Sequence, residues 1–242
     1  MTDAGRETVL VTGAGRGIGR ALALRLAESG YALALVSRSA EALEETAAEC
    51  RERTKVEVLV ADVGDPGQLR PLTSLLERLP PLHAAVNNAG MGIWRPIEEM
   101  TTEEWDRQLR TNLTGSFHVV RVTVPLFDRR GRGLYVNIAS DCALVGMKER
   151  AAYNASKFGL VGLTAAMRAE LAERNIATSV VFAGKTDTYF RGRRPGDRPG
   201  ALDPGEVAAT VAFVVERFPR ALVSEIAVFP PREHLDGPRS LV

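Results

Sequence analysis

Thr8-Val9-Leu10-Val11-Thr12-Gly13-Ala14-Gly15-Arg16-Gly17-Ile18-Gly19 reads as a short apolar strand that passes through a glycine-rich turn straight into a helical pattern. Such a turn gathers backbone N–H groups at a helix N-terminus. Those groups and the helix dipole attract a pyrophosphate, and glycine lets the ligand approach the backbone. The spacing departs from G-x-G-x-x-G, because Ile18 stands where a third glycine would be. The alternative reading is a tight structural turn; the strand before it and the helix after it favour the phosphate-binding reading.

Outward from this unit the same alternation continues. Apolar runs rich in β-branched residues predict strands at Thr8–Thr12, Ala32–Val36, Val56–Val60, Ala84–Asn87, Leu134–Ile138, Thr178–Phe182 and Ile226–Phe229. Segments of helical period predict helices at Gly17–Ser29, Ala40–Arg53, Pro66–Arg78, Thr102–Phe127, Ala151–Glu173 and Pro204–Arg217. Strands that alternate with helices imply an α/β fold: a Rossmann-type, doubly wound, seven-stranded parallel sheet with helices on both faces.

The chain has 242 residues, 45% hydrophobic and 25% charged, which suits one sizeable core and a single dinucleotide-binding domain over residues 1–242. With 31 basic and 30 acidic residues, the net charge of +1 gives no reason to expect nucleic acid or an anionic membrane as partner. Small-molecule chemistry is expected instead. Cys50 and Cys142 are too few for a disulfide scaffold and lack metal-ligand spacing, so no metal is expected and both read as free thiols. Met1 to Glu7 lack the form of a signal peptide, and no apolar run approaches the ~20 residues that span a bilayer. A cytoplasmic location is expected.

Tyr153 and Lys157 stand four residues apart in Tyr153-Asn154-Ala155-Ser156-Lys157, and Ser140 lies thirteen residues before the tyrosine. On a helix, positions i and i+4 share a face, so the ammonium can lie beside the phenol and favour its ionised form. A phenol ordinarily titrates near pKa ~10, too high for easy proton exchange at neutral pH, and a neighbouring cation corrects this. In isolation such a pair reads first as the decoration of a half-exposed helix, and the rest of the chain must decide.

The strings together resemble the short-chain dehydrogenase/reductase family. Thr12-Gly13-Ala14-Gly15-Arg16-Gly17-Ile18-Gly19 looks like its TGxxxGIG cofactor signature. Asp62-Val63 resembles the pair whose acid contacts the adenine amine, and Asn87-Asn88-Ala89-Gly90 matches the NNAG segment that braces the central strand and the cofactor. Asn112, Ser140, Tyr153 and Lys157 occupy the positions of the catalytic tetrad, and the resemblance runs from residue 8 to about residue 230. It implies that Tyr153 exchanges a proton with a carbonyl oxygen, that Ser140 orients that oxygen, and that Lys157 holds the nicotinamide ribose while lowering the phenol's pKa. Asn112 would position a water that returns protons from solvent. After the sixth strand the family usually carries Pro-Gly, a variable pair and a threonine; here Ala183 replaces the proline and Thr186 a common aliphatic, while Thr188 is retained. Thr186 and Thr188 are therefore expected at the cofactor. Relatives of this form are commonly dimers or tetramers, which implies a homo-oligomer here.

Strand two ends Leu35-Val36-Ser37-Arg38, with Ser37 where an NAD-binding acid would stand. Arg38, with Arg16 from the glycine turn, can bracket a 2′-phosphate, so NADP(H) is the expected cofactor. The other reading of these arginines is solvated surface charge.

Arg191-Gly192-Arg193-Arg194-Pro195-Gly196-Asp197-Arg198-Pro199-Gly200 predicts a mobile loop within a substrate segment at about 186–203. Arg191, Arg193, Arg194 and Arg198 suit an anionic substrate such as a carboxylate or an acyl thioester, although a solvated lid is the favoured reading. Asp141, Cys142, Trp94 and Met147 are placed at the pocket. His83 is expected in an exposed loop, His118 and His234 offer no triad or metal spacing, and a surface tail is expected from about residue 230. The leading function is an NADPH-dependent carbonyl or 3-oxoacyl reductase. An NAD-linked alcohol or steroid-type dehydrogenase and a non-catalytic NADP-sensing protein are the alternatives.

Overall fold

A computed structural model describes residues 7–231. Its strands are β1 (Thr8–Thr12), β2 (Ala32–Ser37), β3 (Val56–Val60), β4 (Leu82–Asn87), β5 (Gly133–Ile138), β6 (Ile176–Ala183) and β7 (Glu225–Val228). They form one parallel sheet in the order β3-β2-β1-β4-β5-β6-β7. Val11 of β1 stands between Leu35 of β2 and Val86 of β4. The chain winds outward from β1 to β3, then returns to the other side of β1, so a crevice opens at the C-terminal ends of β1 and β4.

Alternation along each strand divides the core in two. Val9, Val11, Leu33, Leu35, Leu134 and Val136 point to one face, packed against Leu22 and Leu26 of α1 (Gly17–Glu28), Leu43 of α2 (Ala40–Arg51) and Val211 and Val215 of α7 (Pro204–Arg217). Leu10, Ala34, Val36 and Tyr135 point to the other face. There they meet Leu72 and Leu75 of α3 (Leu72–Leu76), Val119 and Phe127 of α5 (Gly115–Arg130) and Met167 of α6 (Ala151–Leu171). Each buried aliphatic side chain contributes roughly 1.5–3 kcal/mol through loss of hydrated surface.

The fold class and all seven strands match the sequence expectation; several elements differ in extent. The expected helix over Pro66–Arg78 contracts to α3. Pro66 and Pro71 have no N–H to give, and the Asp65 carboxylate accepts the Gly67 N–H at 2.8 Å, which turns the chain instead. The expected helix Thr102–Phe127 divides into α4 (Thr102–Leu109), a π turn over Arg110–Thr114, and α5. Gly131, in the left-handed region at φ 75°, ends α5.

His83 is a correction. It lies on β4, 1% exposed, with Nδ1 2.9 Å from a Glu7 carboxylate oxygen and Nε2 3.1 Å from the Val215 carbonyl oxygen. The residue before β1 and the start of β4 are neighbours beneath α7, and the imidazole finds partners from both. Among the described residues no helix is long and apolar enough to cross a membrane. The tail expected from about residue 230, with His234, falls outside the described residues beyond residue 231.

Candidate active site

A cavity of about 820 Å³ follows the C-terminal ends of β1 to β6. At one end it is lined by Ser37, Arg38, Asp62 and Val63. Arg38 Nη1 lies 3.6 Å from Asp62 Oδ2, while Asp62 Oδ1 accepts the Gly64 N–H at 2.8 Å. A guanidinium thus stands where β2 ends, with no acid at Ser37.

Midway the cavity meets Gly13, Arg16, Gly17 and Ile18, the turn and first helical residues of α1. Gly17 has φ +58°, and a Cβ there would press on the Thr188 methyl at 3.2 Å, so a side chain would close the gap between α1 and the segment after β6. Gly19 does not line the cavity. It lets α1 approach β1, because a Cβ there would run into the Gly13 carbonyl oxygen and the Asn88 amide. Arg16 lines the cavity here, with its guanidinium 5.7 Å from the Tyr189 ring centroid.

Asn88, Ala89 and Gly90 form the floor. The Asn88 side-chain amide donates to the Thr12 carbonyl oxygen at 2.9 Å, and Thr12 Oγ1 accepts the backbone N–H of both Asn88 and Ala89 at 3.1 Å. Beneath them Asn87 Nδ2 donates to Asn137 Oδ1 at 2.8 Å, which ties β4 to β5.

At the far end Ser140, Tyr153 and Lys157 line the cavity with Thr186 and Thr188. Ser140 follows β5 and caps a 3-10 turn over Asp141–Ala143; its hydroxyl donates to Asp141 Oδ1 at 2.6 Å and accepts the Cys142 N–H at 3.3 Å. Lys157 donates to the Ile138 carbonyl oxygen at 2.7 Å, and its Nζ lies 5.7 Å from the Tyr153 ring centroid. Burial pushes the Tyr153 phenol above its ordinary value, helped by Cys142 and opposed by a hydrogen bond with Ser140. That direction is opposite to the one expected from the Tyr/Lys spacing. Burial also brings the Lys157 ammonium down to about 8.

Asn112 does not line the cavity. Its Nδ2 donates to the Met91 carbonyl oxygen and to Ser156 Oγ, both at 2.9 Å, and its Oδ1 accepts the Met91 N–H at 2.8 Å. The π turn places this amide against the Met91 backbone and Ser156.

Trp94, Asp141 and Met147 line the cavity as expected, whereas the buried Cys142 does not. Tyr189, Phe190 and Arg150 line it too and were not singled out from sequence. The two aromatics directly after Thr188, in an otherwise polar loop, were the signal available. The arginine segment is more than a solvated lid: Arg198 donates to the Thr186 and Phe190 carbonyl oxygens at 2.9 and 2.8 Å, and Arg191 lies 4.4 Å from the Trp94 ring centroid.

Residues 7–198 match the family model described as short chain dehydrogenase. The chain is 36% identical over 225 residues to the 3-oxoacyl-(acyl-carrier-protein) reductase FabG of Aggregatibacter actinomycetemcomitans, covering 86% of this chain and 91% of that protein. It is 32% identical over 235 residues to the sepiapterin reductase of Chlorobaculum tepidum, covering 93% and 96%. Among solved structures, the alcohol dehydrogenase of the archaeon Thermococcus sibiricus complexed with 5-hydroxy-NADP superposes with a TM-score of 0.87 at 29% identity, over 93% of this chain and 97% of that one. Levodione reductase gives 0.85 at 29%, over 95% and 98%. The family model covers most of the chain, and relatives of more than 30% identity match it over nearly their whole length, so the chain belongs to the short chain dehydrogenase family of oxidoreductases.

Proposed function

We propose that the protein is an NADPH-dependent carbonyl reductase, of ketone or 3-oxoacyl type, with Tyr153 as general acid in reduction and general base in oxidation. The observation that carries this reading is that Ser140, Tyr153 and Lys157 line one end of a cavity whose other end is lined by Arg38. The cavity fits a dinucleotide: it crosses the β1/β4 switch point, passes the N-terminus of α1, and is held open there by Gly17. When bound, that cofactor supplies the hydride.

Arg38 and Ser37 would hold the 2′-phosphate, with Arg16 at the turn. Asp62 and Val63 would meet the adenine; Gly13, Gly17, Ile18 and Gly19 would form or support the pyrophosphate turn. Asn88, Ala89, Gly90, Thr186 and Thr188 would flank the nicotinamide half. Lys157, which donates to the Ile138 carbonyl oxygen, would hold the nicotinamide ribose. Tyr153 keeps its proton at neutral pH because burial disfavours the phenolate, so it is ready to donate to a developing alkoxide. Ser140 would orient the carbonyl oxygen once its hydroxyl hydrogen turns from Asp141 by rotation about the Cβ–Oγ bond. Asn112, whose side chain holds the Met91 backbone, would position a water that returns protons from solvent. Exposed Phe117 on α5 and Phe158 on α6 support a homodimer or homotetramer built on these helices.

NADPH and NADH absorbance, followed against aldehydes, diketones, 3-oxoesters and cyclic ketones, tests the reading. Turnover with NADPH well above NADH is the expected result; strong preference for NADH overturns the cofactor assignment, and near-normal turnover by Tyr153→Phe overturns the mechanism.

A further inference from the structure

Above Tyr153 the cavity is bounded by aromatic rings and guanidinium groups whose arrangement neither the hydride nor the proton transfer requires. Trp94 packs 5.0 Å from the Tyr153 ring centroid, and Phe190 lies 6.0 Å from Trp94 and 5.8 Å from Tyr153. Gly92 permits this corner, because a Cβ there would run into Trp94 and come within 2.9 Å of Phe190. Arg150 and Arg191 both stand over the Trp94 ring, with Cζ at 5.0 and 4.4 Å from its centroid. Arg191 does so from a left-handed backbone at φ 65°, a costly position for a residue other than glycine.

These two cations lack strong partners. Among the described residues Arg150, Arg191, Arg193 and Arg198 form no ion pair with a carboxylate. Arg150 Nη1 instead contacts Met147 Sδ at 2.8 Å and Cys142 Sγ at 3.3 Å, and sulfur is a weak acceptor. Arg198 is committed to the Thr186 and Phe190 carbonyls, so it positions Phe190. Partial burial, then the nearby Arg193, Arg198 and Arg150, lowers the Arg191 pKa, opposed by Glu149. Mutual repulsion of this kind is relieved by an anion.

We propose that Arg150 and Arg191, gathered on Trp94 beside Tyr153, form an anion site, and that the substrate is a compact keto acid with a flat conjugated ring. Its carboxylate pairs with the two guanidiniums and its ring occupies the Trp94–Phe190 corner. This rests on the reading of Tyr153 as proton donor and narrows it. A coenzyme A or acyl-carrier thioester carries its nearest phosphate at the far end of a long pantetheine arm, and would present neutral atoms where these cations lie. A ring bearing both ketone and carboxylate brings its charge within reach of them while the carbonyl sits at Tyr153. Guanidinium groups over an indole ring suit such a substrate on both counts.

The test uses NADP-saturated protein and two probe pairs. Calorimetry compares naphthoate with naphthamide, which lack a reducible ketone; NADPH absorbance compares an acetylbenzoate with its methyl ester. Naphthoate is expected to bind at least about ten-fold tighter than the amide, and Arg150→Met and Arg191→Met are each expected to cut that preference by about ten-fold. The ester should show the higher KM. Equal binding of acid and amide by the unaltered protein, or a preference that both variants retain, overturns the anion site. Turnover of the ester without preference for the acid overturns it while leaving the reductase reading intact. Selective naphthoate binding without turnover of either ketone supports the anion site and counts against the reductase reading. Arg191 is exposed, so its variant folds even if the Arg150 variant does not.

Discussion

Lys157 donates its ammonium to the Ile138 carbonyl oxygen at 2.7 Å, which joins α6 to the end of β5 with the Tyr153 ring 5.7 Å from the same nitrogen. The ammonium is thereby fixed by the sheet. The phenol's proton affinity is set first by burial, upward, and that of Lys157 is set by burial, downward to about 8.

Reduction needs a protonated tyrosine, and Tyr153 stays protonated through the neutral range. The reductive kcat/KM should therefore be level below about pH 8 and fall above it as Lys157 loses its charge. Oxidation needs the phenolate and should rise with pH. Lys157→Met should remove the limb near pH 8, and Tyr153→Phe should lower kcat by about 10²–10⁴-fold. Initial-rate profiles in both directions check this.

Arg38 reaches Asp62 across the end of the cavity at 3.6 Å. Arg38→Gln should raise the KM for NADPH by roughly ten- to a hundred-fold and leave that for NADH nearly unchanged, since one charge-assisted contact is lost. Ser37→Asp should add NADH activity, because it restores an acceptor for the ribose hydroxyls. Paired kinetics with both cofactors decide it.

Asn112 makes three hydrogen bonds that hold the Met91 backbone and Ser156. Asn112→Ala should cost roughly 1–3 kcal/mol, because buried polar groups lose their partner. It should also lower kcat with little change in cofactor affinity. Denaturant unfolding beside steady-state kinetics measures both.

Glu7 lies between His83, Arg130 and Arg132 at the N-terminal ends of the central strands β1 and β4, the end of the sheet opposite the cavity. Burial alone would raise its carboxyl, but the hydrogen bond and charge of His83, and Arg130, outweigh it and lower the pKa to about 2. A depressed folded pKa stabilises the fold above the ordinary value of 4.5, and this contribution is lost as pH falls from there toward 2. Glu7→Gln should destabilise the protein by roughly 2–3 kcal/mol at neutral pH and flatten its acid transition. Thermal melts from pH 7 to pH 2 test the sign.

Phe117 and Phe158 are 43% and 47% exposed on α5 and α6. Phe158→Glu should dissociate an oligomer built on these helices, and light scattering at micromolar concentration should then report a smaller particle than the unaltered protein.

The sheet was legible in the sequence because buried parallel strands and glycine turns obey local rules: Val9 to Val11 alternate between two cores, and Gly17 answers a backbone requirement. Where tertiary contacts overrode local preference, the sequence misled. Nothing in residues 102 to 127 announces a π turn, since it is the Met91 backbone that captures the Asn112 amide. His83 resembled a loop residue until Glu7 and Val215 were brought to it.

By itself, then, the sequence determined the strand–turn–helix unit, the family and the Ser140/Tyr153/Lys157 group, because each depends on spacing along one chain. Only the tertiary structure decided the direction of the Tyr153 titration, the commitment of Asn112, and the meeting of Arg150 and Arg191 on Trp94. Those depend on burial and on side chains distant in sequence, and neither is encoded in spacing.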